Sequence, residues 1–180
     1  GGGAPRNASP EECGCRLTER RYVVLDLFVF HAIAGDDVDL LSKTVTVLRL
    51  IKDKCHTILL TRELKNEYSE RVREIEKSKR KIYVDIRLLK FVKNLLADRD
   101  KVEEVEYLPG EQELEFLRKV VPEKDLPIVG AALSKPATSV VIITTDKRHL
   151  VDNEALKAYL KRVNPGVEVI HLDEYVKLDP

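Results

Sequence analysis

The chain predicts an α/β fold of three layers, helix on sheet on helix, with a mostly parallel central sheet. Three observations carry this. Short β-branched runs alternate with longer segments of helical periodicity, the order that builds parallel sheets through crossover connections. The runs Tyr22-Val-Val-Leu-Asp-Leu and Val140–Ile143 are apolar on both faces rather than at every second position, as strands buried on both faces are. Acidic residues stand where strands hand over to helices, and ligands of such sheets bind outside the carboxyl ends of the strands.

Taken in order, residues 1–20 are polar, with Pro5, Pro10 and three leading glycines, and read as a tail. Gly1–Gly3, with no initiating Met, read as a remnant of expression. Residues 21–180 are expected to form one domain. Its first strand is Tyr22-Val-Val-Leu-Asp-Leu, and Phe28–Ala34 continues as a helix that stops at Gly35. Asp37–Lys54 places Val38, Leu41, Val45, Leu48 and Ile51 on one helical face. His56–Leu60 is a second strand and Arg62–Arg80 a long charged helix. Lys81–Leu96 fits a helix better than a strand, and Val102–Leu108 a short strand. Gly110–Val120 is a helix stopped near Pro122. Lys124–Leu133 is another, with Pro127 tolerated only in its first turn. Val140–Ile143 is a strand closed by Thr144-Thr145-Asp146. Asn153–Val163 is a helix ending before Pro165-Gly166, and Val167–His171 is the last strand.

With 180 residues, 43% apolar and 34% charged, the chain is long enough for one real core. No apolar run spans a bilayer and no secretory pattern opens the sequence, so a cytoplasmic protein without membrane contact is expected. Lys plus Arg total 31 and Asp plus Glu total 31, so net charge steers the chain toward no class of partner. Dense charge, no Met or Trp, and Gln112 as the sole glutamine lean toward a thermophilic source. Cys13, Cys15 and Cys55 form an odd, sparse set, which argues against a disulfide framework and for a reducing compartment. In a hyperthermophile one intracellular disulfide remains open. Cys13-Gly-Cys15 lacks the nearby second ligand pair of a structural zinc site and reads as two thiols in a loop.

Four acids draw attention together. Asp26 ends the first strand among apolar neighbours, where an ionised carboxylate is costly unless a cation or donors meet it. Glu67 follows Thr61, a natural N-cap, on the next long helix, and Glu63 lies on the same face one turn earlier. Asp125 opens the helix of Pro127-Ile-Val-Gly-Ala-Ala, and Asp146 follows Val-Val-Ile-Ile-Thr-Thr. Each has an ordinary explanation: a helix cap for Asp26 and Asp125, a solvated helix face for Glu67, an Asx turn for Asp146. Three of the four sit at strand-to-helix junctions, however, and Glu67 lies on a helix that starts at one. Several carboxylates at short range do not all stay ionised without a cation. An oxygen-rich set with no His or Cys pair selects Mg²⁺ or Mn²⁺ over zinc.

These motifs, in this order, resemble the PIN-domain ribonucleases, including VapC-like toxins, over nearly all of residues 21–176. The matching pieces are Val23-Val-Leu-Asp26, Thr61 with Glu67, Asp125 before an Ala-containing helix, and Ile142-Ile-Thr-Thr145-Asp146. The resemblance implies a PIN-like fold and a Mg²⁺- or Mn²⁺-dependent endoribonuclease acting on single-stranded or structured RNA. Asp26, Glu67, Asp125 and Asp146 would ligate the metal. Thr145 would orient Asp146 or a metal-bound water, and Glu63 would stand behind these ligands. Lys147 and Arg148 would meet phosphate oxygens, and His149 would sit at the rim as an ordinary surface histidine. It also brings a toxin–antitoxin setting, an antitoxin protein as partner and a homodimer into consideration. One position departs: Phe28 stands where the family usually has Asn or Ser. That departure supports the alternative of a weak or inactive PIN-like module that binds RNA or a protein. A receiver-like domain, which also clusters acids at strand ends, fits less well, because the middle strand here ends in Thr61.

Overall fold

The structure is a computed structural model that describes residues 21–78, 83–136 and 138–177. The chain runs β1 (Tyr22–Leu25), α1 (Phe28–Ile33), α2 (Val38–Asp53), β2 (Thr57–Leu60), α3 (Arg62–Lys77), α4 (Ile86–Ala97), β3 (Val102–Glu104), α5 (Glu111–Val120), α6 (Leu126–Leu133), β4 (Val140–Thr144), α7 (Glu154–Val163), β5 (Val167–His171) and α8 (Leu172–Val176). A 3-10 turn, Glu123–Asp125, leads into α6, and a π-helical turn, Lys147–Val151, follows β4.

All five strands are parallel, in the order β3-β2-β1-β4-β5. The chain first moves outward from β1 through β2 to β3, then returns to lay β4 on the other side of β1. The reversal puts the topological switch between β1 and β4, where the loops leaving two adjacent strands diverge and open a crevice. Both strands are buried on both faces: Val23 and Val24 of β1 and Val140–Ile143 of β4 are at most 1% exposed. α1, α2, α4 and α8 pack on one another, while α6 packs against β1, β2 and β4, and α7 against β5. Right-handed crossovers place these two sets on opposite faces once the direction of travel reverses.

The helices begin where side-chain oxygens replace missing backbone partners. Asp37 accepts from the Leu40 N–H, Thr61 from Leu64, Asp85 from Leu88 and Asn153 from Leu156. Helix α6 is different, being apolar along its length, with Ile128, Val129, Ala131 and Ala132 fully buried. Gly130 lets it approach the β3–α5 loop: a Cβ there would come within 2.8 Å of the Tyr107 ring.

Several expectations are corrected. The strand placed at Val102–Leu108 stops at Glu104. It is an edge strand whose sole neighbour, β2, ends at Leu60, and the Val105 N–H to Leu60 carbonyl bond is the last rung. The helix expected over Lys81–Leu96 starts at Ile86, after Val84 has bridged to Ala34. The long helix ends at Lys77, and its expected last residues, Lys79 and Arg80, lie outside the described residues, as does the tail 1–20. Beyond the last expected strand, Asp173-Glu174-Tyr175 forms part of a short helix, α8. The cysteine reading also changes, because Cys55 is disulfide-bonded. It sits in a left-handed backbone conformation, φ 56°, between α2 and β2. Cys13 and Cys15 lie outside the described residues. Among the described residues no helix is long and apolar enough to cross a membrane.

Candidate metal centre

Asp26 follows β1 and Asp146 follows β4, on the two sides of the switch point. The Asp26 N–H donates to the Ile143 carbonyl at 3.0 Å, which ties the end of β1 to its neighbour. Both Asp26 oxygens are engaged. Oδ1 accepts from the Leu27 N–H at 2.7 Å, and Oδ2 accepts from the Thr144 hydroxyl at 2.6 Å. The same hydroxyl oxygen accepts from the Asp146 N–H at 2.9 Å. Thr144 is fully buried and clips the two junctions together. The sequence reading gave the orienting role to Thr145, which instead faces solvent.

Asp146 caps the π-helical turn, its Oδ1 accepting from the His149 N–H at 2.9 Å. His149 Nδ1 lies 3.1 Å from Asp146 Oδ2. The turn is held in its wide form by bonds that skip five residues, from the Val151 N–H to the Asp146 carbonyl and from the Asp152 N–H to that of Lys147. The Asn153 amide then donates to the carbonyls of His149 and Val120, which pins the turn to α5.

Asp125 occupies the N-cap position of α6 yet makes no side-chain cap bond. The capping explanation open from sequence therefore fails for this residue. Its side chain is buried, 4% exposed, and Oδ2 has no hydrogen-bond partner among the described residues. Burial raises its pKa from 3.8 to about 6, and the nearby charges of Asp26 and Asp146 push in the same direction. Glu67, half-buried on α3, shows the same pattern. Its Oε2 is buried without a partner, and burial, with Asp26 and Glu70 adding, raises its pKa despite the opposing Arg71. The next residue, Tyr68, anchors α3 to the site by donating its hydroxyl to the Leu25 carbonyl at the end of β1.

Asp26 is thus the electrostatic hub. Its charge reaches Glu67 on one side and Asp125 on the other, and Asp125 in turn feels Asp146. One donor atom from each of Asp125, Asp146 and His149 lies within 4.8 Å of the other two. Glu63, Lys147 and Arg148 are exposed, and the Lys147 charge is felt by Asp173 at the start of α8. Phe28 is 3% exposed and part of the core, so its ring packs the interior instead of lining the cleft. The hydroxyl that steadies Asp26 comes from Thr144, across the switch point.

The donors fit a hard or borderline divalent cation. Two buried carboxylate oxygens lack hydrogen-bond partners, and an orphaned buried charge is costly unless an ion or proton compensates it. Comparison with protein-family models, with curated proteins and with solved structures returns no match for this chain.

Proposed function

We propose that the protein is a metal-dependent ribonuclease of PIN-like type, using Mg²⁺ or Mn²⁺ to hydrolyse RNA phosphodiesters at the β1/β4 crevice. The observation that carries this reading is Asp125, a buried carboxylate with an orphan oxygen in the field of Asp26 and Asp146. Such a group has no structural task here, since it neither caps its helix nor forms an ion pair. Perturbed, unsatisfied acids in a crevice at a switch point are candidates for chemistry. The choice of RNA as substrate follows from the family resemblance, whereas the crevice itself favours an anionic substrate brought in by a cation.

Asp26, Glu67, Asp125 and Asp146 would hold the ion. When bound, it supplies a positive field for the phosphodiester and lowers the pKa of a coordinated water. The chain's own residues do the positioning. Thr144 fixes Asp26 and the Asp146 backbone in one unit, so these carboxylates are aligned before any ion arrives. Tyr68 fixes α3, and with it Glu67, against the end of β1. Lys147 and Arg148, exposed on the turn after Asp146, would meet phosphate oxygens at the rim.

The test is cleavage of a labelled single-stranded RNA by purified protein with Mn²⁺ or Mg²⁺. Cleavage should stop with EDTA, return with added metal, and be lost in Asp146→Asn. Protein that binds RNA without metal-dependent cleavage would replace this reading with a non-catalytic binding module.

A further inference from the structure

We propose that His149 is a nitrogen ligand of the ion in this crevice, so that the centre selects Mn²⁺ or another transition-metal ion over Mg²⁺. The inference rests on the reading above in needing a cation at the site, and it deepens that reading by naming which cation and which extra donor.

Two observations support it: one places the histidine among the donors, and the other calls for a cation at the same place. The first is the spacing of donors. Around an ion with bonds of about 2.1 Å, adjacent ligand atoms lie about 3 Å apart and opposite ones about 4.2 Å. His149 Nδ1 and Asp146 Oδ2 are 3.1 Å apart, the spacing of adjacent ligands. Asp125 completes a triangle whose donor atoms all lie within 4.8 Å, so a small inward movement closes it on an ion. The second is the Oδ2 of Asp125, whose side chain is buried and which has no hydrogen-bond partner among the described residues, with only the charges of Lys124 and His149 acting in its favour. That oxygen asks for a cation whether or not the histidine takes part.

The backbone explains why the ring is there. Asp146 caps the π-helical turn Lys147–Val151 as Asp37 caps α2, its Oδ1 taking the N–H three residues on, which holds the His149 backbone one turn from Asp146 with its ring beside Oδ2. Single π turns of this kind recur at functional sites. The ring is about one-third exposed, so its second nitrogen stays open to solvent while Nδ1 faces the carboxylate.

Chemistry then sets the preference. Mg²⁺ favours oxygen ligands and keeps its waters, whereas the affinity of a site with an imidazole donor rises from Mn²⁺ through Fe²⁺ and Co²⁺ to Ni²⁺ and Cu²⁺. If His149 served merely as a hydrogen-bond partner of Asp146, its loss would weaken every ion alike. As a ligand, its loss should penalise transition metals and spare Mg²⁺, which retains the all-oxygen set of Asp26, Glu67, Asp125 and Asp146.

The experiment measures binding rather than turnover. Titration calorimetry with Mn²⁺, Co²⁺ and Mg²⁺ would be run on wild type, His149→Ala and Asp125→Asn. Pulsed electron paramagnetic resonance of the Mn²⁺ complex would read nitrogen coupling. The expected result is tighter binding of Mn²⁺ and Co²⁺ than of Mg²⁺, with a nitrogen coupling in the wild type. His149→Ala should lose that coupling and about 10-fold or more in Mn²⁺ affinity, with Mg²⁺ affinity little changed. A wild-type Mn²⁺ complex without nitrogen coupling, or equal losses for Mn²⁺ and Mg²⁺, overturns the inference and leaves the acidic centre standing. Absence of Mn²⁺ and Mg²⁺ binding in the wild type, with Asp125→Asn indistinguishable, removes both. Should His149→Ala fail to fold, the wild-type coupling decides alone.

Discussion

The two ends of the sheet handle a buried ionisable group in opposite ways. At the amino end, His56 stands at the foot of β2, mostly buried, and shares a 2.6 Å hydrogen bond with the Tyr175 hydroxyl of α8. Burial, with the charges of Arg21, Lys101 and Lys54 adding, lowers its pKa to about 4, so it stays neutral and satisfied. At the carboxyl end, Asp125 is equally buried but keeps an orphan oxygen, and burial beside Asp26 and Asp146 raises its pKa to about 6. The first group solves its desolvation problem with a partner from the chain. The second leaves the problem open. Among the described residues, the fold provides a partner at one end and none at the other, which makes the second end the candidate for an external ligand.

The largest expected effect breaks this contrast at the carboxyl end. Asp125→Asn should reduce metal-dependent RNA cleavage about 100-fold or more, as loss of a metal ligand or its support does. The same change should raise the melting temperature of metal-free protein above pH 7, because a buried charge disappears. Added Mn²⁺ should raise the wild-type melting temperature and leave the variant nearly unmoved. His56→Gln, at the other end, should leave cleavage near the wild-type rate. Equal thermal responses to Mn²⁺ in wild type and Asp125→Asn would put the cation elsewhere.

The pH dependence sharpens the comparison, because the two groups have opposite signs. Asp125 has a folded pKa above its ordinary 3.8, so its contribution to stability is full below that value and is lost as pH rises through about 6. His56 has a folded pKa below its ordinary 6.5, so its contribution is full above that value and is lost as pH falls through about 4. Each shift corresponds to at most about 3 kcal/mol, and to less where solvent screens the group. Between roughly pH 4 and 6 the two oppose each other, and their sum in metal-free wild type should be shallow. Asp125→Asn leaves the histidine opposed only by Glu67, whose pKa burial also raises, so stability should rise more steeply with pH than in wild type. His56→Gln should expose the carboxylates alone, with stability falling. Urea melts of the three proteins at half-unit pH steps read these slopes, and parallel curves would show that neither group governs its end.

Much of this layout is legible in the sequence, and the parts that are not have physical reasons. The alternation of strands and helices gives the parallel sheet, and fully apolar strands mark β1 and β4 as central. Asp26 and Asp146 follow because each ends such a strand. Thr61 is found correctly as the cap of α3, since a hydroxyl three residues before Leu64 is a local signal. Thr144 is not found. When both faces of a strand are buried, alternation no longer says which of two adjacent threonines turns toward the carboxylates. The pairing of the His149 ring with Asp146 is not found either, because a π-helical turn has no local sequence signature. Phe28 misleads in the other direction. Its position in the motif suggests a damaged site, but its ring is 3% exposed in the core. Phe28→Asn should therefore cost several kcal/mol of stability, about 3–5 for loss of a buried aromatic, rather than improve the centre.

Removing one hydroxyl from the carboxyl end should have an effect of intermediate size. Thr144→Val keeps the shape but takes away the donor to Asp26 Oδ2 and the acceptor of the Asp146 N–H. Two partners are left unpaired, at a cost of about 1–3 kcal/mol. The loss should appear in function as well, as weaker Mn²⁺ binding and slower cleavage, since Asp26 is no longer held toward its neighbours. Thr145→Val, at an exposed position, should do neither. If the two variants behave alike, Thr144 is not the clip between the junctions.

The smallest expected effect comes from the matching deletion at the amino end. Tyr175→Phe removes the hydroxyl that shares a hydrogen bond with His56 Nδ1 and leaves the ring in place. Tyr175 is fully buried, so the packing of α8 against α2 is preserved and only the polar contact is lost. One neutral pair lost, with the histidine left short of a partner, corresponds to about 1–2 kcal/mol. Unlike the loss at Thr144, this one should be independent of metal. The drop in stability measured in urea should be the same with EDTA and with Mn²⁺, and cleavage should be unaffected. The comparison rests on that independence: an amino end built to satisfy itself has nothing to gain from a cation. If Tyr175→Phe changed the Mn²⁺ affinity, the two ends of the sheet would be coupled through α8 and β5, and the division between an architectural end and a ligand-binding end would fall.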